Sequence, residues 1–287
     1  MQKYALLREA VTGLPELRLA VPDAASDEAL LRVHTPSYLQ AVVGGTLSRE
    51  AVRRIGFPWS PELVERSRRS VGGTLAAVEA ALAEGVAANL AGGTHHAFPA
   101  HGEGFCVFND VAVAARESQA RGAAHRVAIL DLDVHQGNGT AAVFAGDDSV
   151  LTLSVHGEGN YPFHKEESDL DVALPDGTGD DLFLESVDRS LDLLVHWRPE
   201  LVLYVAGADP WEGDALGRLS VSREGMADRD RRVYDRVGRE GIPLAVVMSG
   251  GYAPDPRDIA ALHASTVRQA LAAWSRYRDD ARLHTPS

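Results

Sequence analysis

Residues 126–134 read RVAILDLDV, and this apolar run passes directly into the polar stretch HQGNG at 135–139. A short run that is apolar on both faces is typical of a strand in a parallel sheet. Similar runs alternate along the chain with longer segments whose apolar residues follow helical spacing. The pattern predicts strands over 86–90, 126–134, 149–155, 200–206 and 243–248, and helices over 62–84, 109–121, 180–197, 222–239 and 256–274. It indicates an α/β fold with a mainly parallel central sheet flanked by helices on both faces.

Composition and charge limit the class of protein. The chain has 287 residues, 45% of them hydrophobic, and a net charge of −13. Its loosest stretches, 44–61 and 157–179, are not composed like interdomain linkers, so we expect a single domain over 1–287. The excess of acids argues against direct binding to nucleic acid or to an anionic membrane. The single cysteine excludes a disulfide framework and a Cys-rich zinc site. With no targeting or membrane-spanning run, the expected location is cytoplasmic.

Unusual polar residues follow four of the predicted strands. The strands over 86–90, 126–134, 200–206 and 243–248 lead into polar clusters that contain His95 and His96, Asp131 to Asn138, Asp209, and Tyr252 respectively. In open α/β sheets, ligands bind in the crevice beyond the carboxyl ends of the strands. We therefore expect these four segments to meet in one crevice.

The acids and the histidine after the second predicted strand suggest a metal site. Asp131, Asp133 and His135 alternate along an extended segment, so their side chains are expected on one face. Two neighbouring acids require a positive charge between them. A Zn²⁺ ion held by Asp133, His135 and Asp209 supplies that charge and keeps a fourth position open, as catalytic sites do; Fe²⁺ suits the same ligands. The alternative is that these residues only cap loops and turns.

The paired histidines and the tyrosine suggest acid–base chemistry. His95 and His96 follow Gly-Gly, and in an extended segment their rings point to opposite sides, so we do not expect both to bind one metal. Each is a candidate acid or base, the alternative being simple solvent exposure. Tyr252 is placed to donate to an oxyanion, although packing alone also explains a tyrosine beside a glycine turn. Cys106 has apolar neighbours and is interpreted as an inert buried thiol. Most of the other histidines are interpreted as surface or structural residues.

Five motifs, taken together and in order, resemble the zinc-dependent histone deacetylase family. They are GGTHH at 92–96, GFCVFND at 104–110, DLDVHQGNG at 131–139, GAD at 207–209 and SGGY at 249–252. The wider superfamily contains acetylpolyamine amidohydrolases and acetoin-utilisation proteins. The forms of 131–139 and of WEGDALGRLS at 211–220 are most similar to the class IV subgroup and its bacterial relatives.

The resemblance implies an arginase/deacetylase-like fold and a role for each motif residue. It implies catalytic roles for His95 oriented by Asp131, for His96 oriented by Asn138, and for Tyr252, which polarises the scissile carbonyl. It implies Zn²⁺ bound by Asp133, His135 and Asp209. Phe105 then lines the acyl-lysine tunnel, the Gly104 carbonyl accepts the substrate amide, and Gly250 and Gly251 contribute to substrate binding. A structural K⁺ would contact main-chain oxygens of Asp131, Asp133 and His135, together with Ser154 and Val155.

Two positions depart from the family pattern. Asn138 stands where some subgroups carry a second acid, which is expected to make His96 less basic. Relatives usually have a strand and loop before the helix that contains Lys3 and Tyr4. We therefore expect either that the true start lies upstream of Met1, or that an edge strand and part of the pocket rim are absent.

The expected activity is hydrolysis of an N-acyl amide, most simply N-ε-acetyl-lysine in a peptide or protein. An acetylpolyamine and a long-chain fatty-acyl-lysine are alternative substrates, because the acidic balance suits any cationic amine. A non-catalytic acyl-lysine binding module is disfavoured by the complete set of ligands, histidines and tyrosine. An arginase-like two-manganese ureohydrolase is disfavoured because it needs further bridging carboxylates. The physiological substrate and the oligomeric state stay open.

Overall fold

The computed structural model describes residues 2–283, with side chains described to residue 276, and its centre is a six-stranded sheet. The strands are β1 (Val86–Asn89), β2 (Val127–Asp131), β3 (Val150–Gly157), β4 (Leu170–Leu174), β5 (Leu201–Val205) and β6 (Leu244–Val247). Their order is β1-β6-β5-β2-β3-β4, and every adjacent pair is parallel. The predicted α/β class and parallel sheet are confirmed.

Helices cover both faces of the sheet. They are α1 (Gln2–Val11), α2 (Asp27–Leu30), α3 (Pro36–Gly44), α4 (Arg49–Ile55), α5 (Pro61–Glu84), α6 (Asp110–Ala120), α7 (Asn138–Phe144), α8 (Asp180–Trp197), α9 (Arg223–Arg239) and α10 (Pro256–Leu283). One apolar core joins α1, α8, α9 and α10 to the sheet. A second core joins α5, α6 and α7 to the opposite face. Both faces of the strands are therefore buried, which explains why the strands are apolar runs without alternation.

The short helices at the N-terminal end were not predicted, although their first residues are typical caps. Ser26, Thr35 and Ser48 each accept a backbone N–H from three residues further on and so begin α2, α3 and α4. The apolar faces of these three helices pack on α5 and form a third, smaller core. The stretch 44–61, expected to be loose, thus contains α4.

Two strand predictions differ from the structure. β2 ends at Asp131 rather than at residue 134, because side-chain carboxylates replace the sheet as partners of the next backbone N–H groups: Asp133 N donates to Asp131 Oδ1 at 3.1 Å, and Val134 N to Asp209 Oδ1 at 3.0 Å. β4 lies inside 157–179, one of the two loosest stretches, where no strand was predicted. It is an edge strand with alternating burial.

No helix within residues 2–283 combines the length and the apolar character needed to cross a bilayer.

Candidate active site

Four neighbouring strands, in the order β1-β6-β5-β2, bring the predicted polar clusters to one edge of the sheet. His95 and His96 follow β1, Tyr252 follows β6, Asp209 follows β5, and the 131–138 segment follows β2. Since all four strands are parallel, their carboxyl ends meet at this edge. The expected convergence is therefore present.

Asp133, His135 and Asp209 form a buried cluster whose ligand atoms all lie within 4.8 Å of one another. His135 Nδ1 is 2.9 Å from Asp133 Oδ1 and 3.3 Å from Asp209 Oδ2. Asp209 Oδ2 is fully buried and has no hydrogen-bond partner among the described residues. A buried carboxylate oxygen without a partner is costly. Two carboxylates and one imidazole are a suitable donor set for a divalent cation, so these residues fit the predicted ion.

The electrostatics of this cluster show the same shortage of positive charge. Burial and the neighbouring charge of Asp133 raise the pKa of Asp209 to about 6. Burial would lower the pKa of His135, but the hydrogen bond with Asp133 and the charges of both acids outweigh it and raise that pKa to about 10. Both shifts favour the protonated form of the group, and a bound cation would balance the buried carboxylates in the same way.

His95 and His96 lie side by side, with ring centroids 4.2 Å apart. The expectation that they point to opposite sides was wrong, because residues 95–96 form a turn and not an extended segment. The Nδ1 atom of His95 is 2.5 Å from Asp131 Oδ2, and the Nδ1 atom of His96 is 2.7 Å from Asn138 Oδ1. Each ring is thus oriented by the residue predicted for it.

The two rings have opposite electrostatic environments. Burial would lower the pKa of His95, but the charges of Asp131 and Asp133 and the hydrogen bond with Asp131 raise it to about 9. Burial, together with the charges of His95 and His135, holds the pKa of His96 well below its ordinary value. Paired groups whose pKa values are pushed apart are a common arrangement for acid–base work. His95 is suited to remain charged, and His96 is suited to accept a proton.

A partly buried acid absent from the predictions, Glu103, is linked to His96 through two neighbouring side chains. Glu103 Oε1 accepts hydrogen bonds from Asn138 Nδ2 and from the Tyr161 hydroxyl, both at 2.7 Å. The Tyr161 ring meets the His96 ring edge-on at 5.0 Å. A single sequence shows only that Glu103 precedes the Gly104 motif, and Tyr161 lies in the loose stretch 157–179, for which no element was predicted. Neither carries a local signal for this role.

The segment that leads to Tyr252 contacts the cluster of Asp133, His135 and Asp209 through hydrogen bonds and close packing. Ser249 adopts a left-handed backbone conformation (φ 49°), which is strained for a residue with a side chain. Its hydroxyl donates to Asp133 Oδ2 at 2.7 Å, and Gly250 N donates to the same oxygen at 2.9 Å. A Cβ atom on Gly250 would lie 1.9 Å from Asp209 Oδ2, so only glycine fits there. Gly251 continues the turn with φ 141°.

Two charged side chains support Tyr252 from outside the motif. Asp214 Oδ2 accepts the Tyr252 backbone N–H at 2.5 Å. The Lys3 ammonium donates to the carbonyls of Ser249 and Gly251 at 3.2 and 3.3 Å and lies 5.3 Å from the centroid of the Tyr252 ring. The Tyr252 and His135 ring centroids are 6.4 Å apart. The predicted tyrosine therefore lies beside the cluster of Asp133, His135 and Asp209.

Aromatic residues form the outer wall of the site. Phe105 is 44% exposed, and its ring centroid lies 5.2 Å from that of Phe57 and 6.1 Å from that of Tyr252. Gly104 packs so closely on His96 that an added Cβ would lie 2.6 Å from the ring. Cys106 is buried, and burial raises the pKa of its thiol far above the ordinary value, in agreement with an inert role.

A large, partly open cavity borders the site. Its volume is about 1190 Å³, and its walls include Asp133, His135 and Tyr252 at one end and apolar residues of α5, β1 and α10 at the other. Ala80, Val86 and Trp274 are among those apolar residues. One cavity is therefore lined both by residues of the Asp133, His135 and Asp209 cluster and by residues of the edge strand β1, together with exposed charged residues such as Arg18 and Glu84.

The remaining predicted residues have these positions. Ser154 and Val155 are buried in β3, and Ser154 is the register partner of Asp131. The histidines without a predicted site role include three that are buried, His34, His156 and His263. His284 lies outside the described residues.

Comparison with known proteins identifies the family whose features this site carries. The family model described as a histone deacetylase domain matches residues 2–269. An uncharacterised protein of the cyanobacterium Picosynechococcus is 47% identical over 239 residues, covering 83% of this chain and 80% of its own. The histone deacetylase-like amidohydrolase of Pseudomonas aeruginosa is 36% identical over 265 residues, covering 84% of this chain and 67% of its own. The crystal structure of an HDAC homologue from Aquifex aeolicus matches with a TM-score of 0.79 and 27% identity, covering 93% and 77% of the two chains.

Proposed function

This chain belongs to the histone deacetylase family, and on that premise we propose that it is a metal-dependent amidohydrolase that removes acyl groups from N-ε-acyl-lysine side chains. The observation that carries the proposal is the convergence of buried Asp133, His135 and Asp209 with the buried pair His95 and His96 and with Tyr252, which lies at the more exposed side of the same site. An acyl-lysine binding module would not need such a combination of a cation site, an acid–base pair and an oxyanion donor.

Asp133, His135 and Asp209 would hold Zn²⁺, or Fe²⁺ in its place, and either ion when bound polarises a carbonyl and acidifies a water molecule. The unpartnered Oδ2 atom of Asp209 supports this assignment. Only three residues serve as ligands, so the site keeps room for water and substrate.

The residues around the ligands would move the protons. His96, neutral and bound through Nδ1, presents Nε2 to accept a proton from the attacking water and to return it to the leaving lysine amine. His95, charged and paired with Asp131, stabilises negative charge that develops beside it. The Tyr252 hydroxyl donates to the oxyanion, a role worth on the order of 3–4 kcal/mol for one donor.

The rim suits a lysine side chain. Phe105 and Phe57 provide aromatic surface for its methylene chain, and the carbonyl of Gly104 would accept the substrate amide N–H. The net charge of −13 attracts cationic substrates in general. An acetylated polyamine offers the same acyl amine chemistry without the peptide, so substrate choice has to be measured.

A single preparation tests the proposal. The purified chain would be analysed for bound metal and assayed against an acetyl-lysine peptide and an acetylpolyamine. We expect about one Zn²⁺ or Fe²⁺ per chain and hydrolysis that a chelator abolishes. Asp209→Ala should lose both the metal and the activity, whereas Asp188→Ala, which removes an exposed carboxylate paired with Arg232, should keep both. Full metal occupancy in Asp209→Ala would contradict the ligand set, and a metal-loaded chain without amidase activity would contradict the function.

The large cavity beside the site favours a second candidate substrate, a long-chain fatty-acyl-lysine. A sixteen-carbon chain needs roughly 400 Å³, at about 27 Å³ per methylene, which is well below the cavity volume of about 1190 Å³. Ala80→Phe would fill the apolar end, whereas Ala83→Phe, on the exposed face of the same helix, would not. If long chains enter the cavity, Ala80→Phe lowers the ratio of palmitoyl to acetyl hydrolysis and Ala83→Phe does not. A rate that falls steadily with chain length in the unmodified protein would exclude this candidate.

We also propose the structural K⁺ site at the main-chain oxygens of Asp131, Asp133 and His135 with Ser154 and Val155. The register pairing of Asp131 with Ser154 supports it, since β2 and β3 bring the two groups together. Backbone carbonyls are ligands that K⁺ accepts readily.

A further inference from the structure

We propose that Glu103 is a positioning residue that sets the tautomer of His96 through the side-chain amide of Asn138. The inference rests on the proposed function, because the tautomer matters only if His96 is the base. Two hydrogen bonds of 2.7 Å each connect three groups in succession. They join the His96 ring to the Asn138 amide, and the Asn138 amide to the Glu103 carboxylate. His96 and Asn138 are buried, and the Glu103 side chain is only 15% exposed.

The direction of this chain follows from which atoms can donate. An ionised carboxylate only accepts hydrogen bonds, so the Asn138 amino group has to face Glu103. The Asn138 carbonyl oxygen therefore faces His96. Since that oxygen also only accepts, the hydrogen must sit on His96 Nδ1. The lone pair is then left on Nε2, the atom that has to receive a proton.

Without Glu103 the amide has no fixed orientation. An asparagine can turn its amide by half a rotation and exchange donor for acceptor at nearly the same positions. Turned round, Asn138 would donate to Nδ1 and force the hydrogen onto Nε2, which blocks the base. An aspartate at this position would accept in either orientation, so the need for Glu103 arises from the asparagine.

Tyr161 and His101 reinforce the position of Glu103. The Tyr161 hydroxyl donates to the same Oε1 atom at 2.7 Å, and His101 Nε2 lies 3.5 Å from Oε2. Tyr161 also contacts the His96 ring directly. The carboxylate thus has a second hydrogen bond on the oxygen that accepts from Asn138 and an ion-pair contact on its other oxygen.

Kinetics provide the first test. Glu103→Ala should lower kcat about 10- to 100-fold, as loss of an orienting partner does, with KM within about twofold and metal content unchanged. Glu103→Gln keeps an acceptor oxygen and should recover most of the loss. In an Asn138→Ala background, Glu103→Ala should cost less than about twofold more, because Glu103 then has nothing to orient. Glu117→Ala, which removes a similarly buried carboxylate bonded to Arg32 and Arg121, should leave kcat unchanged.

The second test needs no activity. The ¹⁵N shifts of the His96 ring, measured on labelled metal-loaded and metal-free protein, report which nitrogen carries the hydrogen. We expect the Nδ1–H form in the unmodified protein and in Glu103→Gln, and a substantial Nε2–H fraction in Glu103→Ala. The same tautomer in all three proteins, or losses that add in the double variant, would overturn the inference. If Glu103→Ala changes the His96 tautomer but the unmodified protein hydrolyses no acyl amide, the positioning role of Glu103 is supported and the proposed function is contradicted.

Discussion

His34 links the stability of this protein to pH through a purely structural site. Its Nδ1 atom lies 3.1 Å from the Phe98 carbonyl, and its Nε2 atom accepts the backbone N–H of Asn109 at 3.0 Å. Both ring nitrogens are therefore used by a neutral imidazole packed against Tyr38 and Phe108. Protonation would place a hydrogen on Nε2 and break the bond with Asn109. Burial accordingly lowers the pKa of His34 from 6.5 to about 4.

The size and the sign of the pH effect on stability follow from the difference between the pKa of His34 in the unfolded chain and in the folded protein. The unfolded chain takes up the proton near pH 6.5, whereas the folded protein takes it up only near pH 4. The stabilisation is thus fully present above pH 6.5 and is lost as the pH falls toward 4. The whole difference is about 3 kcal/mol, and about 2 kcal/mol of it is lost between pH 7.5 and 5.

Urea denaturation at constant ionic strength, followed by tryptophan fluorescence at pH 7.5, 6 and 5, measures this loss. His34→Gln offers an acceptor that does not titrate, so its free energy of unfolding should fall by about 2 kcal/mol less than that of the unmodified protein over this range. His196→Gln, at an exposed position of α8, should keep the full dependence. If His34→Gln and the unmodified protein lose equal stability, the neutral, doubly bonded state of His34 is wrong.

Three further variants test other contacts. Tyr252→Phe should lower kcat about 100-fold or more while KM stays within about threefold, measured by steady-state kinetics, because only the oxyanion donor is removed; a near-normal kcat would refute that role. Asp214→Ala should lower kcat about 10-fold, because the Tyr252 backbone loses its carboxylate partner; hydrogen exchange at the Tyr252 amide should quicken in parallel, and unchanged exchange would contradict the contact. Arg229→Met should reduce the free energy of unfolding by about 3–5 kcal/mol, because it leaves the buried carboxylate of Asp230 without its ion pair; a urea-measured loss below about 1 kcal/mol would contradict this.

Much of the fold was predictable because this sheet is buried on both faces. β2, β5 and β6 are short runs of apolar residues between long amphipathic helices, and no other arrangement buries such runs as readily. β4 escaped detection because it is an edge strand in which two of the five residues are exposed and only one is fully buried. The end of β2 was misplaced for a different reason. The carboxylates of Asp131 and Asp209 take the backbone N–H groups, and such competition is decided only in three dimensions.

The candidate site likewise has residues that could be predicted from the sequence and residues that could not. The Asp133, His135 and Asp209 cluster follows from strand ends in a parallel sheet, so position in the sequence was sufficient to predict it. Glu103 and Asp214 act through partners far away along the chain, at separations of 35 and 38 residues from Asn138 and Tyr252. No periodicity or spacing connects residues of that kind. The relative orientation of His95 and His96 depended on a local turn that resembles an extended segment in sequence.

Asp133 belongs to two structures at once, and this has a thermodynamic consequence. One of its oxygens faces His135, while the other accepts from the Ser249 hydroxyl and the Gly250 amide. Binding of the proposed ion and ordering of the strained turn that carries Tyr252 would therefore be linked equilibria. Linkage is reciprocal. If the ion raises the affinity for a ligand that contacts Tyr252, that ligand raises the affinity for the ion by the same factor. The affinity of the proposed site for its ion would thus depend on the Tyr252 turn as well as on the three ligands.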